Sequence, residues 1–395
     1  MSDVAGGLAV EYDPFGGMLS GDPYDLYAAL RDEAPVYLSE RHEFWALSRY
    51  GDVLAAMRDW ETFSTARGVD IDDTGAAYGS GDFLAEDPPR HDVLRAVVRS
   101  HFVPKRIRAE MTEFIRAEVT RLLAGVRGDG PHDLAGELAW PLPVAVGTEL
   151  LGIPACDRGL LLALQRRLAE RTPGARELPP DARAAGAELR SYFADLIRGR
   201  RTRPEDDLVT AIATAAPAGR PIGDDAVGML FLLFVASMET TASSIANALV
   251  LLAGHPAERS WLDANLSSVD HAVEEVLRFE APVQVTKRVA TRDAVVQDVR
   301  IPAGADVFLV LASANRDERR YERADRFEMR RDPRRHLAFG DGIHHCLGAP
   351  LARLELRILL EEICKSGAAI ELDGQATRLN SHFIRGYAEL PGALS

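Results

Sequence analysis

The sequence predicts a mainly α-helical protein with small β-sheets, built as one large domain over residues 1–395. Three observations lead there. Long Ala/Leu/Arg/Glu segments at 105–127, 182–200 and 349–365 place apolar residues at helical spacing. Residues 226–253 form a further, almost uncharged run of helical length. Strand-like alternation is confined to two patches, 35–48 and 285–312, so a β-containing part is expected at about 30–60 and 285–312, with a helical core elsewhere. The chain passes the roughly 250–300 residues at which single cores usually stop growing, which allows two domains or one large one. No internal repeat is present.

The elements follow in chain order. MSDVAGGLAVEYDPFGG has neither a basic region nor an apolar core and predicts no signal peptide. PVYLSERHEFWALS (35–48) reads as a hairpin. Residues 66–90, rich in Gly and Asp, and 172–182, punctuated by three prolines, read as mobile covers. The run from Ala226 to Ala253 contains a single charge, Glu239, and is long enough to span a bilayer. Ser, Thr and Asn crowd its later half, no basic cluster flanks it, and Asp224 and Asp225 precede it. A central acid is costly in a membrane, so the segment is read as a helix buried inside a large protein. In 285–312 the alternation breaks at Pro302-Ala303-Gly304, a turn. Pro350 suits a first helical turn, Leu351, Leu354 and Ile358 share a face, and Gly367 stops the last long helix.

Composition narrows the function classes. Net charge is −14, from 46 basic and 60 acidic side chains, which opposes general nucleic-acid binding. The three cysteines, Cys156, Cys346 and Cys364, form no CxxC pair, which fits a reducing cytoplasm and no disulfide scaffold. Cys156 and Cys364 read as small apolar filler.

Cys346 is different. It sits in HLAFGDGIHHCLGAPLARLE (336–355), bracketed by Gly340, Gly342 and Gly348 and placed just ahead of a helix N-terminus. Unpaired N–H groups and the helix dipole there favour a thiolate. Glycines at this density suit something large and flat against the backbone. A zinc site ranks low, because His344, His345 and Cys346 are adjacent and point apart. A nucleophile remains open but does not require the glycines. A thiolate ligand to haem iron accounts for thiol, glycines and helix together.

Phe339-Gly340-Asp341-Gly342-Ile343-His344-His345-Cys346-Leu347-Gly348 resembles the haem-thiolate signature FGxGxHxCxG of bacterial cytochrome P450 enzymes. The resemblance extends along nearly the whole chain. Glu275-Val276-Leu277-Arg278 is similar to the family's ExxR pair, with Arg326 placed as its third partner; this set would be structural. Ala236-Ser237-Met238-Glu239-Thr240 is similar to the oxygen-binding segment [A/G]GxxT. Thr240, one turn beyond Ala236, can bond that carbonyl and open a groove, and Glu239 can relay protons. Ser237 stands where the family has Gly; it could narrow the groove, add a relay hydrogen bond, or point away. Glu86-Asp87-Pro88-Pro89-Arg90-His91 through Arg95 resembles DPPxHxxxR, whose His and Arg bind the haem propionates. Arg288 and His344 match the other propionate contacts.

The resemblance implies the cytochrome P450 fold and haem b with Cys346 as axial ligand to iron. Phe339, Gly340, Gly348 and Ala236 would flank the cofactor, and Glu239 and Thr240 would be catalytic. It implies a substrate chamber lined by Phe83, Leu84, Leu232, Val235, Val283, Gln284, Val285, Phe383 and Ile384, and hence a mostly hydrophobic small molecule. The implied activity is a monooxygenase using O2. No flavin or iron–sulfur module is visible, so electrons would come from a ferredoxin and an NAD(P)H-dependent ferredoxin reductase. The basic patch Arg99, Lys105, Arg106 and Arg108, with Arg353, would steer that donor. A cytoplasmic monomer without membrane or nucleic-acid partners is expected. The alternatives are a haem-thiolate enzyme using peroxide or performing no oxygenation, and a haem ligand sensor without turnover.

Overall fold

The computed structural model describes residues 10–72, 79–128 and 132–395. Its organising element is the central helix Asp225–Gly254, 30 residues and therefore about 45 Å long. Apolar residues occur on every side of it because every side is covered: it packs on the helices Pro141–Leu151, Pro180–Thr202 and Val269–Phe279. It is long and apolar enough to cross a membrane, but 67% of its most apolar window is buried inside the protein. It is a core helix.

The three long periodic segments form the helices Pro104–Gly125, Pro180–Thr202 and Ala349–Ser366. Each begins with a proline in its first turn, where the missing N–H has no intrahelical partner to lose. Gly367, at φ 66°, closes the third in the left-handed conformation that glycine tolerates best. The predicted cover at 172–182 is irregular up to Pro179, where the helix Pro180–Thr202 takes over. It is pinned to the N-terminal segment, since Gly174 N–H donates to the Phe15 carbonyl at 2.9 Å. The predicted cover at 66–90 lies partly outside the described residues.

The two strand-like patches join in one five-stranded sheet. Its spatial order is Val36–Ser39, Phe44–Leu47, Asp306–Leu309, Thr286–Ala290 and Phe63–Ser64. Phe44–Leu47 runs parallel to Asp306–Leu309, with Trp45 opposite Val307, and the other pairs are antiparallel. Side-chain alternation divides the core: Val307 and Leu309 pack with Val53 and Met57, whereas Phe308 and Val310 pack with Tyr12, Phe15 and Tyr27 on the opposite face. Short C-terminal strands, Ile370–Leu372, Tyr387–Glu389 and Pro391–Leu394, close the chain. At three or four residues each they leave too little periodicity to be read from sequence.

Candidate active site

The cysteine loop is a tight structure between the sheet and the helix Ala349–Ser366. The Cys346 N–H donates to the Phe339 carbonyl at 2.9 Å, and Gly340 N–H to the Leu337 carbonyl at 2.9 Å. Gly340 and Gly342 have φ of 65° and 72°. A Cβ on Gly342 would lie 2.5 Å from the Met57 carbonyl oxygen, so backbone crowding from the helix Tyr50–Arg58 demands this glycine. That differs from the expectation that a flat ligand accounts for all of the glycines.

Cys346 retains accessible surface at the head of the helix Ala349–Ser366. Burial pushes its pKa up, against the backbone N–H groups of Gly348 and Ala349 and the charges of Arg95 and Arg353. Burial and the helix terminus therefore act in opposite directions on the thiol.

On the central helix, Ala236 is exposed although Val235 and Met238 beside it are buried. An exposed alanine in this core helix means that accessible surface reaches it there. Thr240, with accessible surface of its own, donates its hydroxyl to the Ala236 carbonyl at 2.8 Å. Ser237 donates to the Phe234 carbonyl at 2.9 Å and abuts Gly147 of the helix Pro141–Leu151. Its hydroxyl is taken up by a carbonyl of its own helix. Glu239 is buried, and desolvation raises its pKa to about 7 against the opposing charge of Arg171. Arg171 is paired with Asp72 at 2.7 Å, both side chains at most 3% exposed. Sequence reasoning missed this pair, because its partners are 99 residues apart: Asp72 lies in the irregular segment 66–90, and Arg171 directly precedes the segment 172–182.

Four basic side chains converge near the cysteine loop. His91, on the helix Arg90–Arg99, turns Nδ1 to Asp92 at 2.9 Å and leaves the buried Nε2 without a partner. Its ring meets that of His344 edge-on at 4.6 Å. His344 Nε2 lies 3.1 Å from the Thr65 hydroxyl, and its Nδ1 is also unpartnered. Arg288 is buried, makes no ion pair among the described residues, and has its pKa lowered to about 10 by burial. Arg95 donates to the His345 carbonyl at 2.5 Å. Burial, then Arg288, His91 and Arg95, press the His344 pKa down to about 3, so this ring is neutral. Two orphan imidazole nitrogens and two guanidinium groups without an ion-paired carboxylate describe a site for an anionic ligand.

The Glu275–Arg278 pair is fully buried and bidentate, at 2.7 and 2.8 Å. Arg278 also donates to the carbonyls of Asn315, Ala324 and Arg326. Arg326 thus contributes its backbone; its side chain is exposed, and the second guanidinium on Glu275 is that of Arg331, at 3.3 Å. This corrects the expectation for Arg326. An i,i+3 pair is visible in sequence, but the loop that returns to it is not.

The expected chamber residues divide. Leu232, Val235, Phe83 and Ile384 belong to the core around the central helix, with Leu84, Val283 and Phe383 partly buried against it. Val283 and Ile384 are joined by a β-bridge. Gln284 is not free to meet a ligand: its Nε2 donates to the Ala281 carbonyl at 2.6 Å and its Oε1 accepts from Tyr27 at 3.3 Å. Val285 is buried in the sheet core with Tyr27 and Phe308. Both correct the expected lining. Cys156 is exposed and Cys364 half-buried, so Cys156 is not core filler.

Comparison with known proteins agrees with this geometry. The family model "Cytochrome P450" matches residues 220–366. The chain is 37% identical to cytochrome P450 123 of Mycobacterium tuberculosis, over 96% of each chain. It is 35% identical to the cytochrome P450 monooxygenase PikC of Streptomyces venezuelae, over 94% of this chain and 91% of that one. Among solved structures, CYP109E1 of Bacillus megaterium in complex with testosterone superposes with a TM-score of 0.86 at 30% identity, covering 94% of this chain and 97% of that one.

Proposed function

The chain belongs to the cytochrome P450 family and is a haem-thiolate monooxygenase, and from that premise we propose how its own residues serve the reaction and what it acts on. The overall change is RH + O2 + 2 electrons + 2 H⁺ → ROH + H2O, on a mostly hydrophobic small organic molecule. The residues present fit haem b. Cys346 would offer its thiolate to iron, and the unpartnered nitrogens of His91 and His344, with Arg288 and Arg95, would hold the two propionates. Phe339, Gly340, Gly348 and Ala236 would flank the macrocycle. When bound, the haem supplies the one-electron and oxygen chemistry that side chains lack.

Protons are the protein's part. Two are consumed per turnover in an enclosed site. Glu239, with a pKa of about 7, carries a proton in about half of the molecules near neutral pH, and the adjacent Thr240 hydroxyl can pass it on. The observation that carries the O2-dependent reading is this neighbouring acid and alcohol, the alcohol fixed on the Ala236 carbonyl. A peroxide-driven enzyme receives its protons with the oxidant and has less use for such a pair.

Phe83, Leu84, Leu232, Val235, Val283, Phe383 and Ile384 would line the substrate chamber. That lining is apolar, and a similar structure holds testosterone, which supports a hydrophobic substrate. Arg99, Lys105, Arg106 and Arg108 are exposed and suit an acidic ferredoxin-type donor, reduced in turn by an NAD(P)H-dependent reductase. The test is product formation with NADH, ferredoxin and reductase compared with hydrogen peroxide alone. The O2 reading expects the first to be efficient and the second poor; the reverse order would favour the peroxide enzyme.

A further inference from the structure

Phe339, whose carbonyl accepts the Cys346 N–H, carries on its ring the guanidinium of Arg353, 4.4 Å from the centroid. That is well within the roughly 6 Å over which a ring attracts a cation. Arg353 does not hold this position alone. Its Nε and one terminal nitrogen donate to the two carboxylate oxygens of Glu274 at 2.6 and 2.8 Å. Glu274 also faces Nε2 of His336 at 3.1 Å, and the His336 side chain is only 1% exposed. The tautomer follows from the backbone: His336 Nδ1 accepts the Ala338 N–H at 3.2 Å, so Nε2 carries the proton and donates to Glu274. Burial pushes the Glu274 carboxyl up, but Arg353 and His336 outweigh it and hold it at about 2. The carboxylate is therefore ionised at every working pH. Arg353 thus sits on the residue that anchors the Cys346 N–H. Glu274 and Arg353 border a surface cleft that Arg357 also lines, but Arg357 is engaged with Asp270 and Glu361.

We propose that Arg353, clamped against Phe339 by Glu274 and His336, is a fixed positive charge that raises the reduction potential of the iron bound by Cys346. The proposal rests on haem ligation by that cysteine. Reduction adds one negative charge to the iron–thiolate unit, and a cation held nearby favours the reduced state. The clamp matters because an unrestrained arginine would spend its time in solvent, where water and salt screen it. Arg353 is a tuning charge, and Glu274 and His336 are positioning residues.

The test is a mediated potentiometric titration of the full-length haem protein, in which no donor docking takes part. Arg353→Leu is expected to lower the potential by a change of about tenfold in the reduction equilibrium, which is 59 mV for one electron. Arg353→Lys keeps the charge without the bidentate fork and should fall between. Glu274→Gln keeps the shape, removes a negative charge, and should shift the potential upward. Opposite signs in Arg353→Leu and Glu274→Gln mark an electrostatic effect, whereas a merely structural network would move both the same way. A red-displaced Soret band in each ferrous carbon-monoxide complex reports that Cys346 still ligates. Unchanged potentials, or shifts of one sign, with that band intact would overturn the proposal alone. Absence of the band from the unsubstituted protein would overturn the ligation and the proposal together.

Discussion

The Thr240 hydroxyl donates to the Ala236 carbonyl at 2.8 Å, adding a side-chain bond to one turn of the central helix where accessible surface reaches it. Thr240→Ala removes the alcohol without touching the apolar lining. Substrate binding, read as the shift of the haem absorption band, is expected to persist. Product per NADH should fall and hydrogen peroxide rise, within the roughly 10²–10⁴-fold range of a lost proton-transfer group. Unchanged coupling would remove Thr240 from the mechanism.

Glu239 makes the reaction pH-dependent. Its folded-state pKa, raised to about 7, means that the proton is present below neutrality and lost above it. Product formation is expected to decline as pH rises through about 7, and Glu239→Gln should lower the rate and abolish that inflection. Stability follows the same shift. Protonated in both states below the ordinary carboxylate value of 4.5, Glu239 favours the unfolded chain increasingly as pH rises from there to about 7. Denaturant titrations of Glu239→Gln should show a flatter pH profile across that window.

Arg278 is fully buried between Glu275 and three backbone carbonyls. Arg278→Ala leaves a buried carboxylate and several carbonyls without a donor, although Arg331 still reaches Glu275. A loss of roughly 3–5 kcal/mol is expected, read as the shift of the denaturation midpoint together with poor haem incorporation. A variant with unaltered stability would show that the network is dispensable.

Arg288 is buried and has no ion-pairing carboxylate among the described residues. Arg288→Leu is expected to be tolerated by the apo chain, since a poorly solvated cation is removed, while the holo protein loses haem faster to a scavenging protein. Equal haem-loss rates would place the propionates elsewhere. The opposite responses of apo and holo forms distinguish a ligand contact from ordinary packing.

What could be read from sequence was what depends on local spacing. Pro350 marks the start of its helix, the Thr240–Ala236 turn is an i,i+4 relation, and the Glu275–Arg278 pair is an i,i+3 one. Relations between distant segments were not readable. Arg331 enters the Glu275 network from a loop 56 residues away, and Asp72 meets Arg171 across 99 residues of chain. Gln284 and Val285 illustrate the limit of a strand-like pattern, which shows that side chains alternate but not which face the sheet turns to the chamber. Here the core formed with Tyr27 and Phe308 claims Val285, and Gln284 bonds to Tyr27. Gly342 was legible as a special position, but its reason, the Met57 carbonyl, comes from a helix nearly 300 residues earlier.

The account depends most on the bond from Cys346 to iron, and the ferrous carbon-monoxide spectrum of the unsubstituted protein and of Cys346→Ser tests it most directly. The thiolate predicts a red-displaced Soret maximum in the first and its loss in the second, with the fold retained. A serine variant that kept the displaced band, or an unsubstituted protein that bound no haem when supplied with it, would contradict the account.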